Sequence, residues 1–187
     1  MNELGLDPLD LGNLNTLRPK LKQMLTEDQL DLEIIKDLND KQLFDKLIET
    51  RIESECRKTT KPCFIMNHPL LMSPLAKSHA AGRQSESRGS EFLSERFELF
   101  INGMEVVNAY SEQNDATLQA KAFQSQSELN ESAVDDELHR NDLDFIEALE
   151  YGMPPTAGWG CGIDRLTMLM CGVNSIREII LFPAYRT

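Results

Sequence analysis

Apolar residues recur at helical spacing in DKQLFDKLIETRIESECRK, where Leu43, Leu47 and Ile48 form one stripe and charges fill the other positions. That period predicts an amphipathic helix from Asp40 to about Cys56. Upstream, Thr26 precedes Glu27, Asp28 and the apolar LDLEII, which reads as a helix cap with an acidic first turn. Residues 1–60 therefore read as mostly helical connecting structure. Beyond them the pattern changes. KPCFIMNHP predicts a short apolar strand that starts after Pro62 and is stopped by Pro69. SHAAGRQSESRGSEFLSE is small, polar and mixed in charge, and reads as a mobile loop. Helical patterning returns over residues 117–150, with Gly152 as its C-cap and Pro154 and Pro155 blocking continuation. No internal repeat is present.

The stretch ERFELFINGMEVVNAYSE, residues 95–112, reads as a β-hairpin. Asn102-Gly103 between two apolar runs supplies the two positive-φ residues of a type I′ turn. That turn pairs Ile101 with Met104, Phe100 with Glu105 and Glu98 with Val107. Glu98 and Glu105 then lie on one sheet face as diagonal neighbours, roughly 7–8 Å apart at the backbone. Two carboxylates at that reach can converge on a hard cation such as Mg²⁺. The competing reading is a solvated face, against which Phe100 and Val107 on the same side argue. Asn108, Tyr110 and Glu112 alternate together and, by strict strand parity, point away from Glu105. Only a bulge or twist near residues 106–108 would put all of them in one pocket, and no residue there signals one.

GWGCGIDRLTMLM, residues 158–170, is the second informative stretch. Gly158, Gly160 and Gly162 share one face of an extended segment, where a flat group can lie against bare backbone. Trp159 and Cys161 face the other way, toward packing. A helix begins near Ile163, with Asp164 in its first turn, where the dipole favours an acid. Arg165 is fixed at the mouth of the same crevice, and its planar fork suits a phosphate. Ile163, Leu166, Leu169 and Met170 predict a largely buried helix. The alternative is a packing glycine run with a structural Asp-Arg pair; neither GxGxxG nor GxxxxGK[ST] occurs.

Bulk properties narrow the field. The chain has 187 residues and a net charge of −12, which argues against a broad basic nucleic-acid face. No apolar run approaches membrane-spanning length, and the N-terminus does not read as a signal or transit peptide. Cys56, Cys63, Cys161 and Cys171 form no CxxC pair, and no histidine stands at zinc-like spacing, so unpaired thiols in a reducing compartment are the expectation.

Four blocks together resemble one family: ERFELFINGMEVVNAYSEQND, HPLLMSPLAKSH, GMPPTAGWGCGIDRLTMLM and REIILFPAYR. They are similar to the C-terminal part of class II lysyl-tRNA synthetases, and GWGCGIDRL resembles that class's motif 3. The resemblance implies an α+β fold, part of the class II antiparallel sheet with flanking helices. Residues 1–60 would be the connector after motif 2, and 61–187 the C-terminal half of the catalytic domain. Motifs 1 and 2 and the anticodon-reading barrel are not found. By position, Glu98 and Glu105 match acids that hold Mg²⁺. Glu105, Val106, Gly162, Ile163, Asp164 and Arg165 match ATP contacts, with Arg165 the catalytic arginine. Asn108, Tyr110 and Glu112 match the lysine pocket, with Glu112 facing the substrate ammonium. Gly158 and Gly160 would floor it.

The implied reaction is ATP-dependent formation of lysyl-adenylate and transfer to tRNA(Lys), in a homodimeric enzyme of cytosol or mitochondria. A truncated chain without the motif 2 arginine is expected to be weak or inactive alone. The alternatives are a catalytically dead interaction or regulatory protein and a lysine transferase acting on protein. Gln113, where the family usually has Leu, and the long loop after His79 depart from the pattern.

Overall fold

A computed structural model of the chain describes residues 4–79, 89–130 and 142–183; the side chains of 127–130 are not described. The mobile-loop expectation over 80–88 and the helical one over 131–141 fall outside these residues. The first helix, α1 (Leu14–Glu27), starts at Asn13, whose side chain accepts from Asn15 N. It is followed by α2 (Leu32–Lys36) and α3 (Asp40–Ile48), which runs through a π-helical turn at Glu49–Glu53 into α4 (Ser54–Arg57). The expected helix from Asp40 to Cys56 is thus present, widened once along its length. Asn39 opens it with a reciprocal capping box to Gln42.

Thr26 does not cap a helix. It lies inside α1, where its hydroxyl donates back to Lys22 O at 2.8 Å, and Asp31 caps the next helix by accepting from Glu33 N. Leu17, Leu21, Met24 and Leu25 carry α1's buried stripe up to Thr26, so packing makes this the last turn of one helix where local chemistry suggested the start of another. Those four residues pack with Ile35, Leu43, Phe44, Leu47 and Ile48 in one apolar core. Each such side chain removed from water contributes about 1.5–3 kcal/mol.

Arg51, on the π-turn, ties this core together. Its Nε and Nη2 donate to the two carboxylate oxygens of Asp28 at 2.7 and 3.0 Å, and its guanidinium also reaches the carbonyls of Leu4 and Met24. Replacing Arg51 by Ala leaves the Asp28 carboxylate without its guanidinium and removes the bond to Leu4 O, while Met24 O keeps its bond from Asp28 N. The expected loss is about 3 kcal/mol of unfolding free energy. Urea denaturation would read this as a lower midpoint at unchanged slope.

The second half builds a four-stranded antiparallel sheet in sequential order: β1 (Cys63–Met66), β2 (Arg96–Ile101), β3 (Met104–Ser111) and β4 (Ala157–Cys161). Between β3 and β4 come α5 (Ala116–Asn130) and α6 (Leu143–Glu150), and α7 (Ile163–Cys171) follows β4. The α+β expectation holds. The β2–β3 turn has Asn102 at φ 50° and Gly103 at φ 73°, as a two-residue hairpin loop requires. After α6, Gly152 takes φ 101° and donates to Leu149 O, ending the helix as expected.

Two burial expectations fail. Trp159 is 72% exposed, and α7 buries only Met168, with Ile163 67% and Met170 82% exposed. Among the described elements α7 packs chiefly on β3, so one stripe of the helix is covered and the rest is not. Phe64 and Met66 are exposed on the same sheet face as Trp159.

Candidate functional site

The hairpin register decides which side chains meet. Ile101 pairs with Met104 and Phe100 with Glu105, as the turn predicts, but the ladder then shifts: Leu99 pairs with Val107 and Glu98 with Asn108. The expected Glu98–Val107 pairing is therefore wrong by one residue, and Val106 is the extra residue of a β-bulge. Two oppositely placed demands explain it. Val106 is buried, and its carbonyl accepts from Gly162 N at 2.9 Å, a bond that joins the bulge to the start of α7. The bulge also resolves the parity conflict. With one extra residue, Glu105 shares its face with Asn108 and Tyr110, opposite Phe100, Glu98 and Arg96 respectively.

On the next strand Gly160 pairs with Asn108 and Gly158 with Tyr110, so these glycines lie on that same face. A Cβ on Gly158 would overlap Glu112 Oε1 and stand 3.1 Å from its Cδ. The carboxylate thus occupies the space that the missing side chain leaves. Glu112 N donates to Thr156 O, which holds the strand end in place. Burial pushes the Glu112 carboxyl above its ordinary range, and no cation pairs with it among the described residues. Burial, and then the Glu112 charge, also push Tyr110 up.

Next along the face, opposite Tyr110 and Asn108, polar side chains are held by cations. Arg96 is the hub: Nε donates to Asn108 Oδ1 at 3.1 Å, Nη1 to Ser73 Oγ at 3.0 Å and Nη2 to Glu98 Oε1 at 2.5 Å. His68 is buried, and its Nε2 lies 3.4 Å from Glu98 Oε2, an electrostatic contact rather than a well-formed hydrogen bond. Burial raises the Glu98 pKa, but His68 and Arg96 outweigh it, so the carboxyl titrates below its ordinary 4.5. A depressed carboxylate contributes stability above its unfolded pKa and loses it as pH falls through the folded one. Thermal melts from pH 6 down to 3 should therefore decline less steeply in Glu98→Gln than in the parent chain. Equal acid slopes would mean that Glu98 carries none of this linkage.

Arg165 stands at the Glu105 end of the face. Its Nη1 donates to Glu105 O at 2.8 Å and reaches Glu105 Oε2 at 3.3 Å, while half the side chain stays open to solvent. Gly162 caps α7, Asp164 lies in its first turn, and Ile163 is its first residue. A cleft of about 500 Å³ opens beside Glu98, lined by Lys41, Asp45, Glu53, Arg57 and His68 among others. Of the residues singled out in the sequence, Glu98, Glu105, Asn108, Tyr110 and Glu112 come to one face, with Arg165 at its edge and Val106 beneath. Arg96 and His68 were passed over. Arg96 sits two residues before Glu98, at the same strand parity, and that spacing was the available signal; nothing local marked His68.

A family model described as tRNA synthetases class II (D, K and N) matches residues 16–186. The chain belongs to this family of class II tRNA synthetases. Among curated relatives, this synthetase chain is 44% identical over 183 residues to the probable cytoplasmic lysine–tRNA ligase of Encephalitozoon cuniculi, covering 98% of the chain and 33% of that protein. It is 41% identical over 187 residues to the lysine–tRNA ligase of Deinococcus radiodurans, covering 98% of the chain and 31% of the relative. With the mitochondrial lysine–tRNA ligase of Schizosaccharomyces pombe it shares 40% over 184 residues, covering 98% and 33%. The class II chain thus spans about a third of the length of the curated relatives it matches. No helix among its described residues is long and apolar enough to cross a membrane.

Proposed function

We propose that this chain forms the lysine- and ATP-holding face of a lysine–tRNA ligase. The observation that carries the reading is Glu112: a partly buried carboxylate with no cation paired to it among the described residues, lying across a glycine that leaves room for it. A carboxylate in that state favours a cationic ligand, since pairing recovers the cost of its desolvation. The ε-ammonium of lysine meets that need. Asn108 and Tyr110 stand along the same face toward the rest of the amino acid. Residues 1–60 serve as the helical connector and 61–187 as the C-terminal half of the catalytic domain.

Arg165 would take an ATP phosphate in place of its weak Glu105 contact, next to the backbone of Val106 and Gly162–Arg165. Glu98 and Glu105 fit Mg²⁺: both are oxygen donors on one face, and Mg²⁺ commonly takes one or two carboxylates with phosphates and water completing its shell. When bound, the ion would neutralise phosphate charge. The chain's own residues position the reactants. A lysine carboxylate oxygen attacks the α-phosphorus, and pyrophosphate leaves with the electron pair of the broken P–O bond. A ribose hydroxyl of tRNA(Lys) then attacks the carbonyl, and AMP leaves. Positioning and charge stabilisation carry the rate. In the complete enzyme the partners are tRNA(Lys) and a second copy.

The test is calorimetric titration of the chain with lysine and with norleucine, which lacks only the ammonium. Lysine should bind more tightly than norleucine, and Glu112→Ala should erase the difference. Equal binding of both ligands to the parent chain would overturn the reading.

A further inference from the structure

Cys56 and Cys63 take no part in the site above. Cys56 lies in the short helix α4, one residue before its end, and is buried; Cys63 opens β1 and is partly exposed. Their sulfurs stand 2.8 Å apart, closer than two unbonded sulfurs ordinarily approach. The neighbours are apolar: Cys56 belongs to a small core with Ile65 and Phe100, and Cys63 and Ile52 pack against it. No group of three or more His, Cys, Asp or Glu able to hold a metal occurs among the described residues, so a thiolate–metal centre does not account for the pair. Burial, with the neighbouring thiol, pushes Cys56 up to about 12, so it is held as the thiol. Exposure and distance order the two steps: the accessible Cys63 sulfur meets an oxidant first, and the buried Cys56 sulfur, already 2.8 Å away, is placed to complete the bond.

We propose that Cys56 and Cys63 form a peroxide-oxidisable dithiol that closes to an intrachain disulfide, pinning the end of α4 to the first residue of β1. The Cys63 sulfur, as thiolate, attacks one oxygen of hydrogen peroxide. The O–O bond breaks, and the departing hydroxide takes up the thiol proton as water. The Cys63 sulfenic acid is then attacked by Cys56. An S–S bond forms, the S–O bond breaks, and a second water carries away the Cys56 proton. Two thiols are oxidised by two electrons and one peroxide is reduced to two waters. The ring closes across only residues 57–62, so little rearrangement is needed. Strand register places Cys63 opposite Phe100, itself opposite Glu105, so the tether lies on a strand coupled to the acid-bearing hairpin.

The experiment uses the full 187-residue chain, fully reduced, treated with one equivalent of hydrogen peroxide at neutral pH, alkylated and digested with trypsin. Cleavage at Arg57 and Lys58 separates the two cysteines, so the bond is read as a cross-linked pair of peptides, 52–57 with 59–77. The expected result is that this pair accumulates with a mass loss of about 2 Da, two hydrogen atoms, and disappears on addition of dithiothreitol. Alkylation of Cys56 and Cys63 should fall together. A Cys161→Ser, Cys171→Ser double variant, which keeps the pair, should behave identically, and Cys63→Ser should leave Cys56 fully alkylated. The proposal is overturned if Cys56 and Cys63 stay alkylated after Cys171 is oxidised. It is equally overturned if Cys56 is cross-linked as readily in Cys63→Ser.

Discussion

Arg165→Ala should bind ATP about 30-fold more weakly than the parent chain, the equivalent of about 2 kcal/mol for a charge-assisted pair to a phosphate. The structure makes this a clean experiment. Arg165 is half exposed, and its partners are Glu105 O and the more distant Glu105 Oε2, so little of the fold rests on it. Arg165→Lys should recover only part of the loss, because an ammonium cannot reproduce the two parallel bonds of a guanidinium. Adenosine is the discriminating control. It carries no phosphate, so its affinity should be the same for both variants. If adenosine weakens along with ATP, the arginine acts on the shape of α7 and the phosphate role is wrong.

Gly158→Ala is expected to cost lysine binding about as much, again on the order of 30-fold, without unfolding the chain. The argument is steric. A methyl group at this position would overlap Glu112 Oε1, and the carboxylate must swing off the glycine face to admit it. Once displaced it no longer faces the position an ammonium would occupy, and a hydrogen bond to a charged group is worth about 1.5–3 kcal/mol. Gly158 is not held at positive φ, so alanine brings no backbone strain of its own. Gly160→Ala is the matched comparison, since a Cβ there meets nothing closer than Asn108 O at 4.0 Å. Lysine affinity within twofold of the parent in Gly158→Ala would remove the case for this glycine, and a melting temperature several degrees lower would instead indicate a structural role.

The first of these experiments depends on the bulge at Val106. Without it Glu105, and the Arg165 contact beside it, would lie on the face away from Asn108 and Tyr110. Two backbone atoms make the feature, Val106 O and Gly162 N, and they are 56 residues apart in the chain. The same kind of separation makes the roles of Arg96 and His68 illegible in the local sequence. Arg96 gains its meaning from Ser73, Asn108 and Glu98, and His68 from Glu98 across a strand boundary.

The elements that could be read from the residues alone are those whose causes are local. Asn102-Gly103 makes the hairpin because both positions need positive φ, Gly152 ends α6 for a similar reason, and Gly162 marks the start of α7 where the glycine run stops. Period-2 alternation placed Gly158 and Gly160 on one face, and the four family-like blocks identified the class. Tertiary structure alone decided the rest. Thr26 lies in the last turn of a helix because the residues before it, Leu17, Leu21, Met24 and Leu25, carry a buried stripe up to it. Trp159, Ile163 and Met170 are exposed because burial depends on what packs against a surface, which hydropathy does not encode. The register of β2 and β3 slipped by one residue because a hydrogen bond to a distant strand end outweighed strict alternation, and that slip is what gathers Glu98, Glu105, Asn108 and Tyr110 on one face.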